Sequence, residues 1–207
     1  MLWAMNDARQ YAPAAARNRE PISTVLKHAL PKTGLVLEIA SGTGEHAVHL
    51  AETFPDLVFQ PSDPSEAART SIGAWIATTG LDNIRAPLVL DATQAVWPIT
   101  AADAVMCINM IHISPWAATI GLIQGAARLL PAAAPLYLYG PYQRSGKHTA
   151  PSNAAFDADL KARNPDWGVR DLDAVAALAR DAGFSAPEVI EMPANNLSLV
   201  FRRIKKD

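Results

Sequence analysis

Three acidic residues, Glu38, Asp63 and Asp91, stand near the ends of successive apolar runs of the sequence. A carboxylate at the end of a second parallel strand accepts hydrogen bonds from the two hydroxyls of a ribose. An acid after the next strand can accept one from an adenine amino group. The spacing therefore predicts an adenosine-shaped site, with Asp63 on the ribose and Asp91 on the adenine side.

The turn that follows Glu38 contains two glycines, Gly42 and Gly44. Glycine permits backbone dihedrals that other residues avoid and lets a ligand approach the chain closely. The helix expected after this turn offers free backbone N–H groups at its start. Since ligands of open α/β sheets bind beyond the carboxyl ends of the strands, this turn is the first candidate for the binding site.

Two kinds of cofactor fit such a site. Residues 42–47, "GTGEHA", satisfy the G-x-G-x-x-G/A dinucleotide fingerprint, so an NAD-dependent oxidoreductase is one alternative. Glu38, four residues before Gly42, would repel a pyrophosphate but suits a cationic ligand that bears an ammonium and a sulfonium. The sequence therefore favours an adenosyl sulfonium, and a non-catalytic binding protein remains a second alternative.

Apolar runs without alternation take turns with segments of helical periodicity. This pattern predicts an α/β fold, a Rossmann-like, mostly parallel sheet with helices on both faces. The last two runs are joined only by "PANN", which permits an antiparallel hairpin but no parallel crossover. We predict seven strands, at 35–40, 57–63, 86–92, 102–111, 135–141, 188–192 and 197–203. We predict helices at 44–54, 65–79, 116–130 and 173–182.

The composition narrows the class of protein. The chain has 207 residues, a net charge of −2 and one cysteine, Cys107. This favours one domain over 1–207, with 1–30 as an N-terminal helical lid segment and 31–207 as the core. No basic surface for nucleic acid, no membrane span and no secretory signal is expected, and the predicted location is the cytoplasm. Whether the chain is a monomer or a homodimer is left open.

The segment "LVLEIASGTGEHAVHLA" resembles motif I of the class I S-adenosylmethionine-dependent methyltransferases, whose usual form is E/D-x-G-x-G-x-G. "PSDPS", "VLDAT" and "INMIH" are similar to their ribose-binding, adenine-side and fourth-strand segments. Three further segments, "YAPAAARNREPISTVL", "INMIHISPW" and "LYLYGPY", resemble a narrower group. They make the chain most like the methyltransferase-like family catalogued as domain of unknown function 938. Ala40 departs from the general motif, because a glycine usually stands there.

The resemblance implies a methyltransferase that uses S-adenosyl-L-methionine, leaves S-adenosyl-L-homocysteine and methylates an unidentified, small-molecule acceptor. Asn109 is a candidate for the amino-acid end of the cofactor, and Arg17 for its carboxylate or for an acidic acceptor. The candidate cofactor-binding residues are Arg17, Asn18, Glu38, Ala40, Ser41, Gly42, Gly44, Asp63, Pro64, Asp91, Ala92 and Asn109.

Methyl transfer from a sulfonium depends chiefly on positioning, and needs a base only when the acceptor must lose a proton. His112, just past the fourth strand, is the candidate base, and Tyr142 the candidate acceptor contact. Lys147 and His148, in the polar segment 143–153, are expected to be solvated. His46 and His49 lack a third ligand at suitable spacing, so no metal site is predicted.

Overall fold

A computed structural model describes residues 7–204, and the first six residues of the predicted lid segment lie outside this range. The helices are α1 (Pro13–Ala29), α2 (Glu45–Thr53), α3 (Glu66–Ala77), α4 (Trp116–Leu129), α5 (Pro151–Arg163) and α6 (Leu172–Asp181), with 3-10 turns at Met110–His112 and Pro193–Asn195. The strands are β1 (Gly34–Ile39), β2 (Leu57–Ser62), β3 (Ala104–Ile108), β4 (Pro135–Pro141), β5 (Gln143–Arg144), β6 (Lys147–His148), β7 (Glu188–Met192) and β8 (Asn196–Arg202).

The main sheet has the order β2-β1-β3-β4-β8-β7. The first four of these strands are parallel, and β8 is antiparallel to both β4 and β7. The predicted α/β class and the C-terminal antiparallel hairpin are confirmed. The carboxyl ends of β1, β2, β3 and β4 share one edge of the sheet, and that edge carries most of the candidate residues.

The predicted strand count of seven is wrong, because the described residues form a main sheet of six strands. The segment predicted at 86–92 lies along the edge of β2 but is joined to it by a single isolated bridge, between Ser62 and Leu88, and a second bridge, between Phe59 and Ile84, lies just before it. Pro61 in β2 and Pro87 opposite it have no N–H to donate to a ladder. The side-chain amide of Gln60 donates to the carbonyl of Ala86 at 2.8 Å in place of a backbone donor.

The core is divided by the sheet. Helices α1, α2 and α3 pack on one face, and α4, α6 and the segment 90–102 pack on the other. Strands buried on both faces explain why their sequences are continuously apolar. None of the helices within residues 7–204 is long and apolar enough to cross a membrane.

The polar segment 143–153 and the residues that follow it up to α6 form regular secondary structure. This region contains the β5–β6 hairpin and the helix α5, whose buried residues include Asn153 and Asp157. Because polar residues occupy its inner face, α5 has little hydrophobic periodicity to reveal it in the sequence.

Candidate functional site

The glycine-rich turn between β1 and α2 contains three residues in left-handed backbone conformation. Ala40 has φ 56°, Gly42 has φ 56° and Gly44 has φ 93°. A Cβ at Gly44 would lie 2.9 Å from the backbone of Ile72, so both its dihedral and its neighbour require glycine. A Cβ at Gly42 would meet no atom within 4 Å, so this side of the turn is open to a ligand.

Short hydrogen bonds fix the turn against the end of β2. The N–H of Ser41 donates to the carbonyl of Ser62 at 2.8 Å, and the Ser62 N–H donates to the Ser41 hydroxyl at 3.1 Å. The Ser62 hydroxyl donates to the carbonyl of Glu38 at 2.7 Å. The turn is thereby held in one conformation before any ligand arrives, as a preorganised site requires.

Glu38 is a buried carboxyl group at the end of β1, with a relative exposure of 2 %. Its Oε2 is buried and has no hydrogen-bond partner within residues 7–204. The pKa of Glu38 is raised to about 7, chiefly by burial; a hydrogen bond with Ser41 opposes the rise, and the charge of Asp63 contributes to it. A cationic group placed at Oε2 would satisfy this carboxylate.

Asp63 follows β2 directly and is 7 % exposed. Its Oδ2 accepts from the N–H of Gly42 at 3.0 Å, and its Oδ1 accepts from the N–H of Ser65 at 2.9 Å. An ionised carboxylate has about four lone-pair sites, so further acceptor capacity remains for a pair of hydroxyls. Asp63 therefore joins the glycine-rich turn to the start of α3.

Asp91 is half-buried, near the end of the segment 86–92 that lies along the edge of β2. Its Oδ1 accepts from the N–H and the hydroxyl of Thr93, at 2.9 and 2.8 Å. Asp63 donates its N–H to the carbonyl of Leu88, three residues before Asp91. Although 86–92 is not a strand, this contact brings Asp91 to the same end of the sheet. Ala92 is buried beside it, and Pro64, after Asp63, is exposed.

Residues 7–12, the N-terminal strap, lie against the glycine-rich turn. The N–H of Ala12 donates to Oε2 of Glu45 at 2.6 Å, and the same oxygen accepts from the Thr43 hydroxyl at 2.9 Å. The N–H of Gln10 donates to the Ser71 hydroxyl at 2.8 Å, and that hydroxyl donates to the carbonyl of Thr43 at 2.7 Å. Glu45 and Ser71 thus connect the strap to Thr43, a residue of the glycine-rich turn. Neither connection could be predicted from the sequence, since each joins positions far apart in the chain.

The polar residues of α1 are placed differently from one another. The side chain of Asn18 is 2.8 Å from Nε2 of His46, in the first turn of α2. Burial raises the pKa of Tyr139, on β4, and the neighbouring Asn18 side chain opposes the rise. Arg17 is exposed, and within residues 7–204 no hydrogen bond joins its guanidinium to the glycine-rich turn. Asn18 therefore contacts the site region directly, whereas Arg17 does not in this structure.

Asn109 follows β3 with φ 63°, and its N–H donates to the carbonyl of Tyr139 at 2.8 Å. Its side chain faces Gly140, where a Cβ would lie 3.3 Å from Oδ1 of Asn109 and 2.5 Å from Nε2 of His112. The absence of a side chain at Gly140 therefore makes room for both polar groups at the carboxyl end of β4.

Gly140→Ala tests this close approach. Because the added methyl group would overlap the buried His112 ring, the free energy of unfolding is expected to fall by about 1–3 kcal/mol. Urea unfolding measures the change. Gly73→Ala is the control, since a Cβ there meets nothing within 4 Å and the residue lies inside α3. A Gly140→Ala protein as stable as the wild type would show that the overlap does not exist.

His112 is fully buried in the 3-10 turn after β3. Its Nδ1 accepts from the backbone N–H of Arg170 at 3.1 Å, and burial lowers its pKa to about 3. A neutral imidazole whose Nδ1 accepts a hydrogen bond carries its proton on Nε2. His112 consequently presents a hydrogen-bond donor, and this geometry does not favour the role of base that the sequence suggested.

Tyr142 is fully buried, and burial raises the pKa of its phenol well above the ordinary value. Gly140 and Pro141 lie within β4, which ends just before Tyr142. The ring of Tyr142 lies edge-on to that of His112, with 4.9 Å between the centroids. Tyr142 therefore packs against His112, and its role as acceptor contact stays a prediction.

Residues 9–203 match the protein family described as "Protein of unknown function (DUF938)". The chain belongs to this family. The likeness proposed from the sequence is therefore confirmed at the level of family and fold.

Solved methyltransferase structures resemble this family member closely in fold and distantly in sequence. An O-methyltransferase family protein from Burkholderia thailandensis superposes with a TM-score of 0.80 at 19 % identity, over 94 % of this chain and 58 % of that one. Human N-acetylserotonin methyltransferase in complex with SAM superposes with a TM-score of 0.78 at 13 % identity, over 93 % of this chain and 53 % of that one. An O-methyltransferase family 2 protein from Planctomyces limnophilus, in complex with apigenin, superposes with a TM-score of 0.73 at 16 % identity, over 92 % of this chain and 60 % of that one. The DUF938 chain spans little more than half of each, and the likeness establishes a methyltransferase fold.

Proposed function

We propose that this DUF938 protein is an S-adenosylmethionine-dependent methyltransferase that acts on a small-molecule acceptor. The observation that carries the proposal is the unpartnered buried oxygen of Glu38, beside a turn that is open at Gly42. A buried carboxylate without a partner is costly, and a ligand that brings a cationic group removes that cost. The diphosphate of a dinucleotide would instead place further negative charge beside Glu38 and Asp63.

Each residue near the glycine-rich turn would contact a different part of the cofactor. Glu38 would hold the ammonium end, Gly42 and Ser41 would lie along the chain of the ligand, and Asp63 would accept from the ribose hydroxyls. Asp91 and Ala92 would lie at the adenine, and Asn109 beside the methionine part. When bound, the cofactor supplies an electrophilic methyl group on a positively charged sulfur. The chain's own groups bind and orient the two reactants.

A small-molecule acceptor is supported by two observations. The net charge of −2 offers no excess of positive charge for nucleic acid. The Planctomyces limnophilus protein of similar fold is described in complex with apigenin, a small molecule. A screen by thermal shift separates this proposal from the oxidoreductase alternative: S-adenosylhomocysteine is expected to raise the melting temperature and NAD to leave it unchanged. The reverse result would replace the proposal.

We also propose that the strap, with α1, covers the bound cofactor as a lid. Ser71→Ala removes the acceptor for Gln10 and the donor to Thr43, each worth about 1 kcal/mol. Hydrogen exchange at the amides of residues 10–12 is therefore expected to accelerate, and S-adenosylhomocysteine to slow it in the wild type. Thr70→Ala, a neighbouring exposed position on α3, is the control. A ligand that leaves the exchange of these amides unchanged would contradict the lid.

A further inference from the structure

A cavity of about 330 Å³, the α4 cavity, lies between residues 95–100 and the second half of α4. Sites for small molecules begin at about 300 Å³, so this volume suits a single ring or a short chain. None of the candidate cofactor-binding residues lines it. Its walls are mainly apolar, with one hydroxyl and one guanidinium, and they include Val96, Trp97, Ile99, Leu129, Thr100 and Arg128.

Two glycines of α4, Gly121 and Gly125, let the neighbouring segment lie directly on the helix. A Cβ at Gly121 would overlap the backbone carbonyl of Ala92, and a Cβ at Gly125 would overlap the ring of Trp97. Trp97 is only 7 % exposed, so its indole is packed firmly against α4. Because a closely packed ring has little room to move, this wall of the cavity is a fixed part of the fold.

The indole N–H of Trp97 is a buried donor, and its Nε1 has no hydrogen-bond partner within residues 7–204. Cε2, the ring carbon bonded to Nε1, lies 2.6 Å from the position of a Cβ at Gly125. Gly125 also lines the α4 cavity, so this edge of the ring lies at the cavity wall. The NMR signal of the N–H can therefore report on a ligand in the cavity.

The guanidinium of Arg128 gives the α4 cavity a positive charge. It donates to the carbonyl of Ala95 at 3.1 Å, which leaves most of its five N–H donors free. Within the described part of the chain it forms no ion pair, and no acidic residue lines the cavity. The carboxyl end of α4 carries about half a negative charge, less than the full positive charge of Arg128. The cavity is therefore suited to an anion.

We propose that the α4 cavity is a second ligand site, which binds a small carboxylic acid as its anion. The carboxylate lies on Arg128, because a guanidinium presents paired N–H donors that match its two oxygens. The aromatic or aliphatic body lies against Trp97 and covers Val96, which is 85 % exposed. One positive charge matches a monoanion better than the near double charge of a phosphomonoester. This site does not depend on the proposed methyltransferase function.

Titration of the whole chain with benzoate, followed by NMR of the indole N–H groups, tests the site. The chain has five tryptophans, and single substitutions can assign their signals. Benzoate is expected to shift the Trp97 signal saturably at millimolar concentration. Benzamide, which keeps the ring but not the charge, is expected to bind at least about tenfold more weakly. Acetate, which keeps the charge but not the ring, is expected to bind more weakly than benzoate.

Arg128→Gln separates the charge from the shape of the cavity, since glutamine can still donate to Ala95. It is expected to weaken benzoate binding about tenfold and to leave benzamide binding unchanged. Arg128→Lys, which keeps the charge, is expected to retain most of the affinity. Arg85→Gln, at an exposed arginine that does not line the cavity, is the control and should bind benzoate as the wild type does.

Three results would overturn the proposal. The first is a Trp97 signal that benzoate at millimolar concentration leaves unshifted, and the second is a folded Arg128→Gln protein with wild-type affinity for benzoate. The third is competition between benzoate and S-adenosylhomocysteine, which would place benzoate in the candidate cofactor site.

Discussion

Glu38→Gln is expected to raise the free energy of unfolding of the ligand-free protein above pH 7 and to weaken the binding of S-adenosylhomocysteine. The folded protein raises the pKa of Glu38 from 4.5 to about 7, chiefly through burial. The folded state therefore binds the proton more tightly than the unfolded state, and wild-type stability falls as the pH rises through this range. The fall amounts to about 3.5 kcal/mol, because one pKa unit corresponds to about 1.4 kcal/mol.

The glutamine variant has no such proton to lose, so its stability should not follow this slope. Above pH 7 we expect a gain on the order of 1–3 kcal/mol, which urea unfolding at pH 5, 6, 7 and 8 can measure. Glu52→Gln, at an exposed position of α2, is the control and should keep the wild-type slope. The same Glu38 variant should bind S-adenosylhomocysteine at least about tenfold more weakly, as expected for a lost charge-assisted hydrogen bond. If stability changed with pH equally in the wild type and in Glu38→Gln, the result would contradict the burial of an unpartnered carboxyl group at Glu38.

Asp63→Ala is expected to weaken the binding of S-adenosylhomocysteine by about 1–3 kcal/mol, the usual scale for lost hydrogen bonds to a charged group. The structure adds a second effect, since Asp63 also holds the N–H groups of Gly42 and Ser65. Asp63→Asn separates the two, because the amide keeps the shape and one acceptor oxygen but loses the charge. Calorimetry gives the affinity and urea unfolding gives the stability.

Asp56→Asn, exposed just before β2, is the matched control at the opposite end of the same strand. It should bind S-adenosylhomocysteine as the wild type does. A folded Asp63→Asn protein with wild-type affinity would exclude Asp63 from the cofactor site, even if the fold and the family are unchanged.

The candidate residues near the turn could be located from the sequence because local chemistry positions them. Parallel strands end at one edge, so the residues that close them meet without any knowledge of the packing. Glu38, Ser41, Gly42 and Asp63 are indeed joined by hydrogen bonds or charge. The strand predicted at 86–92 does not form, because Pro61 and Pro87 interrupt the hydrogen-bond ladder. The apolar run was not a sufficient signal of a strand here.

The surroundings of His112 and His148 could not be predicted from the sequence, because long-range contacts form them. The tautomer of His112 depends on Arg170, which is 58 residues away along the chain. The environment of His148 depends on Asp157 in α5, a helix with a polar inner face. No periodicity or spacing encodes these contacts, and the contact with Arg170 leaves the buried His112 as a hydrogen-bond donor where the sequence suggested a base.

Calorimetric titration of the wild-type chain with S-adenosylhomocysteine, with NAD as the comparison, tests the central proposal most directly. We predict saturable binding of S-adenosylhomocysteine at one site per chain and no binding of NAD. A folded protein that releases or absorbs no heat with S-adenosylhomocysteine at millimolar concentration would contradict the assignment of Glu38, Gly42 and Asp63 to an adenosyl cofactor.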